Sequence, residues 1–121
     1  MSEREPETRV WRFYVEDMIG FCQRVRDYTA EFDQAAFVAS PMPYDATLRN
    51  LELIGEAANQ IPESVRDAHP EIPWRTIIGT RNRLIHGYLG IDNDIGWDII
   101  RNDVPALLPA LRGLLERTDG E

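Results

Sequence analysis

Trp11, Tyr14, Met18, Phe21, Val25 and Tyr28 recur at steps of three and four, the spacing of one helical face. They predict a first helix over residues 9–29. Asp33 is placed to cap a short helix through Phe37 and Val38. Pro41 and Pro43 predict a break. A second long helix is expected over 44–60, with Leu48, Leu51, Ile54, Ala58 and Ile61 on its apolar face. Beside that face runs a polar stripe of Arg49, Glu52, Glu56 and Asn59. The stripe reads either as a solvated face with one ion pair or as a dimer or substrate surface. Pro62 fits the first turn of a short helix ending near His69, before Pro70, and Pro73 opens the next helix in the same way. Trp74, Ile77, Ile78, Leu84 and Ile85 give that helix its buried face, with Gly87 as its C-terminal stop. Asp92 is placed to cap a last helix whose stripe is Trp97, Ile100, Val104, Leu107, Leu111 and Leu114. Pro105 and Pro109 interrupt this stripe and predict a kink or break over 103–105. Strand-like alternation is absent. The expected architecture is all-α, a bundle of about four main helices plus short ones, forming one domain over 1–121 with frayed ends at about 1–7 and 118–121.

Composition agrees. A chain of 121 residues, 43% hydrophobic, can bury a core without disulfide or metal staples. Its single cysteine, Cys22, falls in an apolar helical context and reads as a small buried hydrophobe in a reducing compartment. The acidic N-terminus lacks the pattern of a signal peptide, and no apolar run reaches the roughly 20 residues needed to span a bilayer. The expectation is a soluble, cytoplasmic protein with no membrane partner.

Charge complicates the picture. The net charge is −8 and every basic residue is arginine. Phosphate attraction supplies most non-specific nucleic-acid affinity, so an acidic chain must answer it locally. Residues 74–90 do so: they hold Arg75, Arg81, Arg83 and His86 and no acid.

Within that stretch, Arg81-Asn82-Arg83-Leu84-Ile85-His86-Gly87-Tyr88 places a permanent cation, an amide, an imidazole and a phenol close together. On a continuous helix Asn82 and His86 share a face, so the amide could orient the ring, while Arg81 and His86 diverge. They converge on one phosphate if Gly87 ends the helix and His86 swings in its last turn, or if two copies face each other across a two-fold axis. These groups suit RNA cleavage without a metal. RNA carries its own nucleophile, the 2′-OH; histidine can act as base or acid near neutrality; and arginine offers two parallel donors to phosphate without losing its charge. The same side chains near a helix end can instead cap carbonyls. His69 before Pro70 reads as structural, and Trp74 and Trp97 as core aromatics. Two histidines and one cysteine make no zinc set, and neither a nucleophile elbow nor a Gly-rich phosphate loop is present. No cofactor is expected.

The segment resembles the R-x4-6-H motif of HEPN domains, and more closely the R-x4-H-x-Y version of HepT-like toxins, in Arg81, His86 and Tyr88 with Asn82 as the polar neighbour. Residues 48–57, His69-Pro70-Glu71-Ile72-Pro73-Trp74-Arg75, Ile91-Asp92 and Trp97 extend the resemblance over most of the chain. Pro41-Met42-Pro43 is richer in proline than the family at that point. The resemblance implies a HEPN-like all-α homodimer, with both motifs facing a shared cleft. It implies a metal-independent endoribonuclease with catalytic Arg81 and His86, supported by Asn82 and Arg83, acting on RNA and possibly on tRNA as the family-based substrate. It further implies the toxin role in a toxin–antitoxin pair, silenced by a minimal nucleotidyltransferase antitoxin that adds AMP to Tyr88. The alternative is a non-catalytic nucleotide- or substrate-binding subunit of a two-component nucleotidyltransferase; a purely structural helical adaptor fits the acid-free arginine segment poorly.

Overall fold

The computed structural model describes residues 4–86 and 90–119, and side chains over 10–86 and 90–117. Its main helices are α1 (Arg4–Thr29), α3 (Pro41–Gln60) and α8 (Val104–Asp119). Between them lie the short helices α2 (Gln34–Val38), α4 (Glu63–Ala68), α5 (Trp74–Ile78), α6 (Thr80–Leu84) and α7 (Asn93–Asp98). Apart from one antiparallel bridge between Ile85 and Ile91, no β structure occurs among the described residues. None of the described helices is long and apolar enough to cross a membrane.

α1 packs against both α3 and α8, and α3 packs in turn against α5 and α6. The predicted stripes meet at these contacts. Trp11, Met18 and Val25 of α1 are buried, as are all five residues of the α3 stripe. Val15 and Cys22 complete the buried face of α1. Burial of Cys22 pushes its thiol up to about 12. The folded protein should therefore resist iodoacetamide at pH 8, with intact mass unchanged until denaturant is added. Above pH 9 the unfolded chain ionises this thiol while the folded chain holds it neutral, so its contribution to stability, complete below pH 9, is lost as pH rises toward about 12.

Local signals explain most boundaries. Asp33 accepts the Ala36 N–H at 2.8 Å and starts α2. Asp92 accepts the Ile95 N–H at 3.0 Å and starts α7. The prolines at 41 and 43 do not end a structured segment: they lie in the first turn of α3, which starts at Pro41. Their missing N–H groups fall where a helix has no internal acceptor to offer, so proline begins the helix there. At the other end of the chain the expected kink takes the form of a π-helical turn, Ile99–Asp103, joining α7 to α8. Pro105 cannot donate to the carbonyl four residues back and would clash with it, and a widened turn relieves that conflict. Arg101 in this turn lies 4.3 Å from the Trp97 ring centre. It also donates to the carbonyls of Thr29 and Phe32, tying the turn to the end of α1. Trp97 packs 5.4 Å from Phe37, and buried Trp74 donates to the His69 carbonyl at 3.0 Å. Trp74 lies in the core and Trp97 packs half-buried against it.

The segment after Pro73 differs from the single helix predicted. It breaks at Gly79, the hinge between α5 and α6. Helical geometry then ends at Leu84, because Ile85 is extended (φ −106°, ψ 120°) and bridges Ile91. Cross-strand pairing of two β-branched residues wins over one more helical turn. The predicted stop at Gly87 lies outside the described residues.

Candidate active site

α6 carries Arg81, Asn82 and Arg83 and packs against α3, beside a close contact of α3 with α5. A Cβ on Gly55 of α3 would lie 2.9 Å from the Ile77 carbonyl oxygen of α5, so only glycine lets these backbones approach so closely. Gly55 and Ile78 also line a hollow of about 240 Å³, together with Glu52, Glu56, Asn59, Arg81 and Asn82. Arg81 and Asn82 are exposed on its wall, and Arg81 makes no ion pair among the described residues. Three members of the predicted polar stripe, Glu52, Glu56 and Asn59, therefore face the motif arginine. Arg49 partly neutralises them, at 3.3 Å from Glu52 and 3.8 Å from Glu56.

Arg83 points elsewhere. Its guanidinium pairs with Asp103 at 3.2 Å, on the wall of a second hollow of about 430 Å³ that Leu51, Ile77, Ile99 and Leu107 also line. Within one copy it supports α6 against the π turn rather than joining Arg81.

His86 lies beyond the helix. Its backbone N–H donates to the Gly90 carbonyl at 2.9 Å, and the Asp92 N–H donates to the Leu84 carbonyl at 2.7 Å. Gly90, at φ 83°, supplies the left-handed backbone this return requires. Because the helix has ended, the i,i+4 register expected between Asn82 and His86 does not apply. The imidazole Nε2 instead lies 3.5 Å from an Asp92 carboxylate oxygen. Neither hollow contains His86 together with Arg81. Both groups remain exposed, and neither caps a helix carbonyl there. Tyr88 lies outside the described residues. His69 sits 3.6 Å from Glu71, whose carboxylate accepts from Arg117 at 2.7 Å, a surface network away from the motif.

Sequence reasoning missed Asp92 as a partner of His86, though it named the same residue as a helix cap. The available signal was the pair of isoleucines, Ile85 and Ile91, flanking a glycine-containing loop, which favours a short return of extended backbone. No group of three or more His, Cys, Asp or Glu side chains is arranged to hold a metal among the described residues.

The chain is a member of the ribonuclease HepT-like family, whose model matches residues 18–114, and the all-α bundle agrees with that class. Among its relatives is a Thermococcus cleftensis protein named "Probable ribonuclease HepT", 36% identical over 94 residues, or 78% of this chain and 86% of the relative. A Methanocaldococcus jannaschii protein, named as a candidate RNase, is 36% identical over 107 residues, covering 88% of this chain and 94% of the relative. A Caldanaerobacter subterraneus subsp. tengcongensis protein, also named as a candidate RNase, is 32% identical over 106 residues, covering 88% and 95%. No solved structure matches the chain. Arg81, His86 and Asp92 all fall inside the matched stretch.

Proposed function

We propose that the protein is a metal-independent endoribonuclease and the toxin of a toxin–antitoxin pair, with Arg81 and His86 as its catalytic residues. The observation that carries this reading is an arginine without an ion pair among the described residues, lining an open hollow on the same short segment as an exposed histidine. Membership of the ribonuclease HepT-like family supports it. In the reaction, an imidazole takes the proton of the 2′-OH and that oxygen attacks the adjacent phosphorus. The 5′-oxygen departs with a proton from an acid, leaving a 2′,3′-cyclic phosphate. Arg81 stabilises the charge gathering on the phosphorane.

One copy supplies one imidazole near the motif, and the hollow lined by Arg81 is not lined by His86 among the described residues. A homodimer resolves both points. Across a two-fold axis the hollow of one copy faces the His86 loop of the other, and two imidazoles divide the acid and base roles. Asn82 then serves as a neutral donor beside Arg81, while Arg83 supports α6.

Regulation acts on Tyr88 through a minimal nucleotidyltransferase antitoxin. Tyr88 is two residues from His86 in the sequence, between His86 and Gly90, whose backbones share a hydrogen bond. Transfer of AMP from ATP to the phenol, with loss of the phenolic proton and release of pyrophosphate, would add a negative charge and bulk there. The adduct would occupy Arg81 and exclude substrate phosphate. The rival reading, a substrate-binding subunit that cleaves nothing, draws on Glu52 and Glu56 beside Arg81, which oppose the approach of a polyanion.

Purified protein incubated with total tRNA in excess EDTA separates the two. The nuclease cuts it; a binding subunit leaves it whole while still retaining nucleotide. Incubation with the partner and ATP should raise intact mass by one or more AMP groups. An unchanged mass, or an adduct that persists in Tyr88→Phe, removes Tyr88 from the account.

A further inference from the structure

We infer that Asp92 is the positioning residue for His86, a role that rests on the nuclease reading above. The carboxylate is fixed by its own backbone and by one of its oxygens. Its N–H is bound to the Leu84 carbonyl at 2.7 Å, beside the Ile85–Ile91 bridge. Oδ1 accepts the Ile95 N–H at 3.0 Å and caps α7. Oδ2 is left facing His86 Nε2 at 3.5 Å. Capping a helix requires one oxygen, which serine, threonine or asparagine could supply equally well. The second oxygen has the imidazole as its neighbour.

The consequence is a choice of ring edge. A carboxylate can only accept, so it holds the tautomer with hydrogen on Nε2 and leaves Nδ1 free to exchange a proton with substrate. A separation of 3.5 Å is ion-pair distance rather than an aligned hydrogen bond, and such contacts tighten when substrate fills a site. The two side chains are 48% and 32% exposed. Water therefore competes for both, and the contribution is orientation worth about tenfold in rate, well below the ten-thousandfold of a buried carboxylate–imidazole pair.

Asp92→Asn is the discriminating variant. Its amide oxygen preserves the cap, so the melting temperature should match wild type. Its amide nitrogen donates toward Nε2 and favours the opposite tautomer. With tRNA in EDTA, kcat should fall about tenfold with KM nearly unchanged, and Asp92→Ser should fall comparably. Nitrogen-15 correlation spectra of the imidazoles, with His86→Ala separating the signals of the chain's two histidines, should show Nε2 protonated in wild type and a changed ring state in Asp92→Asn. If wild type cuts and His86→Ala does not, while Asp92→Asn keeps full kcat, Asp92 has no positioning role and the nuclease reading stands. Loss of activity in Asp92→Asn without a change in ring state also overturns the inference. If wild type cuts no RNA, the nuclease reading falls and the spectra alone judge the contact: identical ring states refute it, and altered ones retain Asp92 as the residue that orients the ring.

Discussion

Arg81→Ala is expected to slow RNA cleavage by about 100-fold or more, and His86→Ala by about 100- to 10,000-fold, with folding intact in both. The size follows from what each group does only in the transition state. The phosphorane carries charge that the bound phosphodiester does not, and a guanidinium stabilises it through two donors at once. Arg81→Lys keeps the charge and loses the fork, so it should recover only part of the rate. Folding is spared because Arg81 and His86 are exposed and neither supports a buried partner. Surface changes of that kind usually alter stability by about 0.5 kcal/mol or less. Single-turnover cleavage and thermal melts on the same preparations check both halves. An Arg81→Ala protein that melts normally and cuts RNA at the wild-type rate would remove Arg81 from the site.

Gly55→Val is expected to lower stability by about 3 kcal/mol, with the melting temperature falling by roughly 10 °C. The Cβ would meet the Ile77 carbonyl oxygen at 2.9 Å and the Ile78 carbonyl at 3.5 Å. Both are backbone atoms held in α5, so the clash cannot be relieved by a rotamer change and α3 must separate from α5. Gly55→Ala shows the balance of effects. Alanine gains up to about 1 kcal/mol in helix propensity, but overpacking costs about 1–3 kcal/mol, so a net loss of about 1 kcal/mol is expected. Valine adds two methyl groups to the same contact and loses propensity relative to alanine. Function is affected as well. Gly55 and Ile78 line the hollow that contains Arg81, so separating the helices moves the guanidinium. Gly55→Val should therefore cleave RNA more slowly even at temperatures well below its melting point. Calorimetry paired with cleavage at 15 °C tests this; a variant as stable and active as wild type would mean the α3–α5 approach is not constrained.

The helical bundle was legible because its signals are local and repetitive. The α3 stripe was read in full, and the caps at Asp33 and Asp92 were identified from residue type and position alone. Pro41 and Pro43 show the limit of such reading. Proline marks a boundary, but whether the helix ends before it or begins with it depends on what the preceding chain does. The site was legible as a set of residues and not as geometry. A five-residue spacing describes Arg81 and His86 only while the helix persists, and the Ile85–Ile91 bridge ends it. That pairing joins positions on opposite sides of a loop, so helical periodicity could not reveal it. The same return brings Asp92 to His86, and packing across α3 and α6 brings Glu52 and Glu56 to Arg81. These are tertiary contacts, invisible to any window along the chain.

The central claim is that the chain cuts RNA through the RNA's own 2′-OH, using Arg81 and His86. Analysis of the ends left on total tRNA after incubation in excess EDTA addresses it most directly. The account predicts 2′,3′-cyclic phosphate upstream of each cut and 5′-hydroxyl downstream, both absent with Arg81→Ala or His86→Ala. Intact tRNA with the wild-type protein, or 5′-phosphate ends that persist in both variants, would contradict it.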